Sequence, residues 1–377
     1  LANRPTISVL IAAYNAAGTL AATIGSLCTQ SLPAGASWQA IIVDDGSTDA
    51  TAELARTMIG GDSRFKLICQ ANQGVAGARN TALQHAAGSY TLLLDADDVL
   101  LAGGLAALLA TATAAEGSMA GAYGSFLMSA ASGTHDGGSR TPLLLQTGRH
   151  AAVAHAELLA SVFFAVHAVI TPTHLAQRAG FDTLLPAIED TDYFLRVAEL
   201  GCVWHRTEAA VAEYCVSPAS RSFNFSAMQT GTRLVYSRAY ERAGLPTSAA
   251  EPLLHKADLA ALCRQFLAGQ VTLQSAQWPA HPAIPLEGAV LGHLSAAACV
   301  FSLAVRPGLG GPIGETLLNF WRACVAGGHA ERGAVAAAAL AIEARLATLD
   351  RYLATQQVPN MAVFGDPGEP RAGMLRT

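Results

Sequence analysis

Ile41-Ile42-Val43-Asp44-Asp45-Gly46-Ser47 and Leu92-Leu93-Leu94-Asp95-Ala96-Asp97-Asp98 decide the fold. In each stretch, apolar strand-forming residues run straight into carboxylates. A strand buried on both faces reads as such a continuous apolar run. In open α/β sheets, ligands bind beyond the carboxyl ends of these strands. The second stretch also has the Asp-x-Asp spacing that suits a divalent cation bound to a diphosphate.

Working outward, residues 6–12 read as a strand, 13–18 as a loop and 19–27 as a helix capped by Thr19. Residues 39–43 form the next strand. Ser47, Thr48 and Asp49 then cap a helix over about 50–58. Residues 65–69 read as a short strand, and 77–86 as a helix that Gly88 ends. Residues 90–94 are a strand. This alternation is the signature of an open α/β sheet with helices on both faces. Beyond it come a helix at 105–115, a strand at 122–129 and a Gly-rich turn at 132–139. Helices follow at 175–179 and 190–200, then a strand at 211–216. After Phe225 the strands stop. Helices are expected at about 228–243, 251–268, 288–304, 314–326 and 332–355.

Composition narrows the function classes. The 377 residues are 51% apolar and 14% charged, enough for a large core. The net charge of −5 provides no basic field for nucleic acid. Through residue 225 there are 18 acidic and 11 basic residues, so the acidic excess lies in the half that carries the motifs. The seven cysteines are scattered with no Cys-x-x-Cys pair. They read as reduced thiols of the cytosol. The N-terminus lacks a charged-then-apolar leader pattern. No P-loop follows a strand, and the histidines lack zinc-ligand spacing.

The motifs together resemble family 2 glycosyltransferases of the GT-A fold. Ile7-Ser8-Val9-Leu10-Ile11-Ala12-Ala13-Tyr14-Asn15 and the first acidic stretch, extended through Thr48-Asp49, carry the likeness. So do Asn72-Gln73-Gly74-Val75-Ala76-Gly77-Ala78-Arg79-Asn80 and the second acidic stretch. Gly180-Phe181-Asp182 followed by Glu189-Asp190-Thr191-Asp192-Tyr193-Phe194-Leu195-Arg196 completes the set. Their order and spacing are specific where any one motif would be weak. The resemblance covers roughly residues 5–222. It implies a Rossmann-like mixed sheet with helices on both faces, followed by a helical region. The expected division is a catalytic domain at 1–225, a helical region at 226–365 and a flexible tail at 366–377.

The resemblance implies a role for each motif. Ala12, Ala13 and Tyr14 would admit a nucleotide base, with the tyrosine ring stacked on it; the alternative is that Tyr14 packs on its own loop. Asp44 would accept a hydrogen bond from the base. Asp45 would support the ribose side or orient the Gly46 turn. Gly77 and Arg79 would shape the nucleotide pocket, although Arg79 could equally pair with a strand-end carboxylate. Asp95 and Ala96 would meet the donor. Asp97, with Asp95, would hold a divalent metal, Mn²⁺ or Mg²⁺, while Asp98 would cap the next segment. Asp190 would be the general base that takes the acceptor hydroxyl's proton, with Glu189 as its orienting neighbour. Arg196 would hold that helix against the sheet.

One departure stands out. Where relatives carry Tyr-Arg-x-His-x-x-Ser-x-Ser, this chain reads Tyr214-Cys215-Val216-Ser217-Pro218-Ala219-Ser220-Arg221-Ser222. The missing Arg and His would help hold the diphosphate or metal. Arg221, His205 or Arg206 is left to replace them. His167 and His174 read as satisfied or surface histidines rather than acceptor-site groups.

The implied activity is inverting transfer of a sugar from a nucleotide-diphosphate donor, UDP-linked by preference. The acceptor would be a hydroxyl of a glycan or lipid-linked intermediate in cell-surface polysaccharide assembly. The competing readings are a catalytically degenerate nucleotide-sugar-binding or scaffold protein and, less favoured, a nucleotidyltransferase. The uncharged run 288–305 reads as a buried tail helix rather than a membrane span. The amphipathic segment 335–353 has three candidate partners: the catalytic domain, a second subunit in a homodimer, or a membrane surface. The expected location is cytoplasmic, peripheral to the inner face of the membrane.

Overall fold

The computed structural model describes residues 6–115, 117–131, 140–146, 150–160, 162, 165–216, 221, 224–267, 319–320 and 322–326. The first half alternates as expected: β1 (Ile7–Ala13), α1 (Leu20–Cys28), β2 (Trp38–Asp44), α2 (Thr51–Ile59), β3 (Phe65–Cys69), α3 (Gly74–Gln84) and β4 (Tyr90–Leu93). There follow β5 (Val99–Leu100), α4 (Gly104–Ala114), β6 (Ala120–Ala131), β7 (Arg140–Gln146), β8 (Ala152–Val153) and α5 (His155–Ala160). The rest is β9 (Val169–Pro172), α6 (Thr173–Ala179), α7 (Glu189–Glu199), β10 (Val203–Val216), α8 (Phe225–Arg242) and α9 (Glu251–Leu267).

The strands form one mixed sheet in the order β3-β2-β1-β4-β9-β6-β10-β5, with β7 paired to β6 and β8 to β10. β1 runs parallel to β2 and to β4, and β2 runs parallel to β3. β9 is antiparallel to both β4 and β6. The chain therefore leaves β1 toward β2 on one side and returns to β4 on the other. Such a reversal opens a crevice at the carboxyl ends of the strands. Both acidic stretches end there.

Strand alternation sorts side chains onto two faces. Val9, Ile11 and Ile42 pack with Leu20, Ile24 and Leu105 from α1 and α4. Leu10, Ile41, Val43 and Leu93 pack with α3, α6, α7 and α8 on the other face. These strands are mostly apolar because helices cover both sides; the buried exceptions, Ser8 and Thr91, are hydrogen-bonded.

Several expectations need correction. Thr19 stands at the start of α1 but makes no capping hydrogen bond to it. Of the three residues named as caps for α2, Asp49 does the work: its Oδ1 accepts from the Thr51 amide at 3.0 Å. Gly88 does not end α3, whose last turn closes at His85. It is small because β1 passes against it: a Cβ there would lie 2.8 Å from the Ser8 nitrogen. β10 starts eight residues earlier than expected, because register shifts between Arg206 and Ala212 break its alternation. The short β9 ends in Pro172 and escaped the sequence reading, since proline argues against a central strand. The segments 132–139, 288–304 and 332–355, residues 314–318 and 321 of the expected helix at 314–326, and the tail 366–377 lie outside the described residues, while 319–320 and 322–326 are helical. α8 and α9 follow the strands, as expected for a helical C-terminal region.

Candidate active site

The loop after β1 is pinned to the loop after β2. Asn15 takes a left-handed conformation (φ 49°). Its Oδ1 accepts from the Thr48 amide at 2.8 Å, and its own amide donates to Ser47 Oγ at 2.9 Å. Asparagine tolerates this backbone because its short side chain bonds locally. The pinned loop leaves Tyr14 52% exposed above a buried Ala13, with Ala12 half-buried. The ring is available for stacking rather than packed away.

Asp44 and Asp45 are both buried, but their carboxylates differ in use. Asp45 Oδ1 accepts from Gln70 Nε2 at 2.7 Å and from the Gln73 amide at 2.9 Å. It ties the β3–α3 loop to β2. That loop crosses so close to Gly46 (φ 73°) that a Cβ would meet the Asn72 nitrogen at 2.9 Å. Asp44 Oδ1 is buried with no hydrogen-bond partner. Buried acceptors in folded proteins are rarely left without a donor.

Arg79 organises the centre. It lies in the second turn of α3, and only 5% of its side chain is exposed. Nη2 donates to Asp95 Oδ1 at 2.7 Å and Nη1 to Glu189 Oε1 at 3.0 Å. Its ring-facing side stands 5.6 Å from the Phe181 centroid. Burial would favour a neutral arginine, but Asp95 and Glu189 outweigh it and hold the proton more firmly than usual. Of the two readings of Arg79, pairing with a strand-end carboxylate is the geometry observed. Gly77, two residues back, is buried where a Cβ would collide with Gln73.

The turn after β4 carries Asp95, Ala96, Asp97 and Asp98. Asp95 is part-exposed and Ala96 buried. Burial would raise the Asp95 pKa, but Arg79 holds it below the usual carboxylate value. Asp97 is half-buried. Asp98 corrects its expected role as a cap for the next segment. It is fully buried, accepts from the Cys215 amide at 2.8 Å, and its Oδ2 lies 2.7 Å from His167 Nδ1. His167 is thus a core partner, stacked near Tyr214 (5.4 Å between centroids), while His174 is exposed on α6.

Glu189 and Asp190 open α7. The residue before them, Ile188, takes φ 54° and ψ 32°. A β-branched residue there is an outlier of the kind that collects at functional sites. Glu189 is held by Arg79 and also by Arg221, whose Nη1 and Nη2 reach its two oxygens at 3.1 and 3.2 Å. Burial alone would raise the Glu189 pKa; the two arginines lower it. Asp190 Oδ1 accepts from the Thr191 amide at 2.7 Å and from the Thr191 hydroxyl at 3.5 Å. Its burial and the neighbouring Glu189 charge raise its pKa. Arg196 does not reach the sheet. It pairs with Asp192 and donates to the Ala179 and Gly180 carbonyls, joining α7 to the end of α6.

The structure thus brings Asp95, Arg79, Glu189, Asp190 and Arg221 into one cluster. Of the proposed replacements for the missing family Arg and His, only Arg221 is in it. Arg206 pairs with Glu208, and His205 is half-buried on β10. Cys215 is buried in the core. The sequence reading missed Asn80 as a bridge: its side chain exchanges two hydrogen bonds with the Phe181 backbone, at 2.7 and 2.9 Å. The Asn80 and Gly180-Phe181 motifs were both visible, but nothing in the chain linked them across a hundred residues.

Divalent metal chemistry fits the residues present. Among the described residues no three His, Cys, Asp or Glu gather as a closed metal cage. Mg²⁺-type sites use one or two carboxylates plus substrate phosphates and retain waters. Asp97 and Asp95 supply that number.

Residues 8–177 match the family described as "Glycosyl transferase family 2". The chain is 38% identical over 97 residues to the UDP-Glc:alpha-D-GlcNAc-diphosphoundecaprenol beta-1,3-glucosyltransferase WfgD of Escherichia coli, covering 26% of this chain and 36% of that protein. It is 40% identical over 96 residues to the putative teichuronic acid biosynthesis glycosyltransferase TuaG of Bacillus subtilis (strain 168), covering 25% and 37%. The alignments thus span little more than a third of these two relatives. Among solved structures, S. aureus TarS 1-349 in complex with UDP-GlcNAc aligns over 90% of this chain and 91% of its own. The identity is 16% and the TM-score 0.48. Mannosyltransferase PcManGT from Pyrobaculum calidifontis in complex with GDP-Man and Mn²⁺ aligns over 90% and 87%, at 18% identity and a TM-score of 0.46.

Proposed function

The chain belongs to glycosyl transferase family 2 through residues 8–177, and on that premise we propose that it is an inverting sugar transferase using a nucleotide-diphosphate donor, UDP-linked by preference. The carrying observation is the shared Arg79: it joins the strand-end Asp95 to Glu189, beside Asp190, whose pKa burial and the Glu189 charge raise. The relatives' printed names support the donor class and an acceptor in polysaccharide assembly, a glycan or lipid-linked hydroxyl.

The residues then divide the work. Tyr14 stacks on the base, Asp44 Oδ1 accepts from it, and Asp95 meets the ribose side. Asp97, with Asp95, would hold Mg²⁺ or Mn²⁺. Such an ion supplies Lewis-acid neutralisation of the departing diphosphate. Asp190 takes the proton of the acceptor hydroxyl as that oxygen bonds to the anomeric carbon from the face opposite the diphosphate. The bond from the anomeric carbon to the phosphate oxygen breaks, its electron pair leaves with the nucleoside diphosphate, and the configuration inverts. Arg221, 59% exposed in its side chain, is the described cation best placed to meet the diphosphate, a role in which arginine's fork suits phosphate.

Asp190→Asn tests the assignment. A positioned general base contributes about 10²–10⁴-fold. The variant should lose that much transfer while keeping the thermal shift that wild type shows with UDP and Mn²⁺. Loss of the shift together with the activity would remove Asp190 from the base role. The buried Cys215 favours the degenerate binding protein as a second reading; any metal-dependent turnover of a UDP-sugar by wild type would remove it.

Among the described residues no helix is long and apolar enough to cross a membrane. A cytoplasmic location with peripheral contact to the membrane's inner face is proposed from the acceptor class. A homodimer through the helical region, and the 225/226 domain division, are likewise proposals.

A further inference from the structure

We propose that Gly231 of α8 is a positioning residue for the transfer reaction: it lets α8 press on the backbone at Ala187 and Ile188 and so fixes Asp190 at the start of α7. The inference rests on the reading of Asp190 as the base. It extends the active site into α8, the first helix after the strands.

Three observations carry it. Ile188 sits in the left-handed region, which a β-branched side chain disfavours, so its surroundings must impose that conformation. The imposing surface is α8: a Cβ on Gly231 would lie 2.8 Å from the Ala187 carbonyl oxygen, 3.1 Å from Ile188 Cγ1 and 3.3 Å from the Ala187 carbonyl carbon. Glycine is also a poor residue for the middle of an 18-residue helix. Helix propensity therefore does not explain it; the close approach of two backbones does.

α8 is anchored well enough to press. Asn224 caps it by accepting from the Ala227 amide at 3.1 Å. Tyr236 OH accepts from the Val162 amide at 2.9 Å. At its far end, Arg242 pairs with Glu199 at the end of α7, at 2.9 Å. The two helices are thus fastened at one end and meet backbone to backbone at the other. Glu189, held by Arg79 and Arg221, fixes one side of the catalytic pair; the turn under Gly231 fixes the other.

Gly231→Ala is the test, read by steady-state kinetics with a UDP-sugar and by hydrogen exchange of the amides at 187–191. A misplacement of about 1 Å can cost about 10²-fold in rate. The expected result is a kcat loss of at least about tenfold, an unchanged donor KM and faster exchange confined to that segment. Tyr240→Phe serves as the control for general α8 packing: it should lower the melting temperature and leave kcat within about twofold. A normal kcat, or normal exchange, in folded Gly231→Ala overturns the proposal. So does an equal kcat loss in Tyr240→Phe. If Gly231→Ala does not fold, the double variant with Ile188→Gly removes the Cγ1 collision and the unfavourable backbone. Its kcat should still be low, and a wild-type kcat there overturns the proposal. Asp190→Asn in the same assay separates the two claims. If it retains transfer, the base reading fails. If it is inactive and Gly231→Ala is normal, only the positioning role fails.

Discussion

Glu189 and Asp190 are neighbours in the chain, yet their surroundings drive their proton affinities apart. The Arg79 and Arg221 guanidinium groups lower the Glu189 pKa against its burial, and burial beside the Glu189 charge raises that of Asp190. Asp190 must be deprotonated to act. Transfer should therefore fall as pH drops through a pKa above the usual aspartate value. A kcat profile flat down to the ordinary carboxylate range would contradict this. The stability sign follows from the same shift: a carboxyl whose folded pKa is raised destabilises the fold above that pKa and ceases to do so below its unfolded value. Asp190→Asn should accordingly melt higher than wild type at neutral pH. Arg221→Met removes the accessible cation. A hydrogen bond to a charged group is worth about 1.5–3 kcal/mol, or roughly 10–100-fold. That loss should appear in kcat/KM for the donor, and an unchanged value would remove Arg221 from the diphosphate role.

At the scale of elements, α3 and α7 meet only through side chains that neither helix reveals alone. Arg79 and Asn80 are adjacent on α3. One reaches Glu189 and Asp95, the other the Phe181 backbone at the turn before α7. Arg79→Met would leave Glu189 buried without its inner partner, and breaking a buried pair costs about 3–5 kcal/mol. Denaturant midpoints should show this, and Arg79→Met with Glu189→Gln should recover part of it. Full additivity of the two losses would mean that the pair is not coupled. The sequence reading could name Arg79 as a pairing residue because an arginine beside strand-end carboxylates has few other uses. It could not name Glu189 as the partner, since the two are 110 residues apart. Asp98 was misread for the same reason: its partners, His167 and the Cys215 amide, lie on distant segments.

For the whole molecule, α8 belongs physically to the face of the sheet that carries α7. Val235, Tyr236, Ala239 and Tyr240 are buried in the same cluster as Leu158, Tyr193 and Phe194. Burying a large apolar side chain stabilises by about 1.5–3 kcal/mol. A chain ending at Asn224 should therefore melt well below the full-length protein and refold poorly. A truncated chain with the same melting temperature would show that the helical region is dispensable for folding.

The sequence by itself determined the alternation of strands and helices through residue 94, the open α/β class and the motifs that end its strands. Those features are local. An apolar run that ends in carboxylates, or a glycine followed by a capping residue, carries its own physical instruction. Only the tertiary structure decided that Asp45 serves a loop, that Asp98 is a core partner of His167, that Arg221 rather than His205 or Arg206 reaches the cluster, and that Ile188 is held left-handed beneath α8. Each of these depends on which distant segments the folded sheet brings within hydrogen-bonding or van der Waals reach, and periodicity along one chain does not encode that distance.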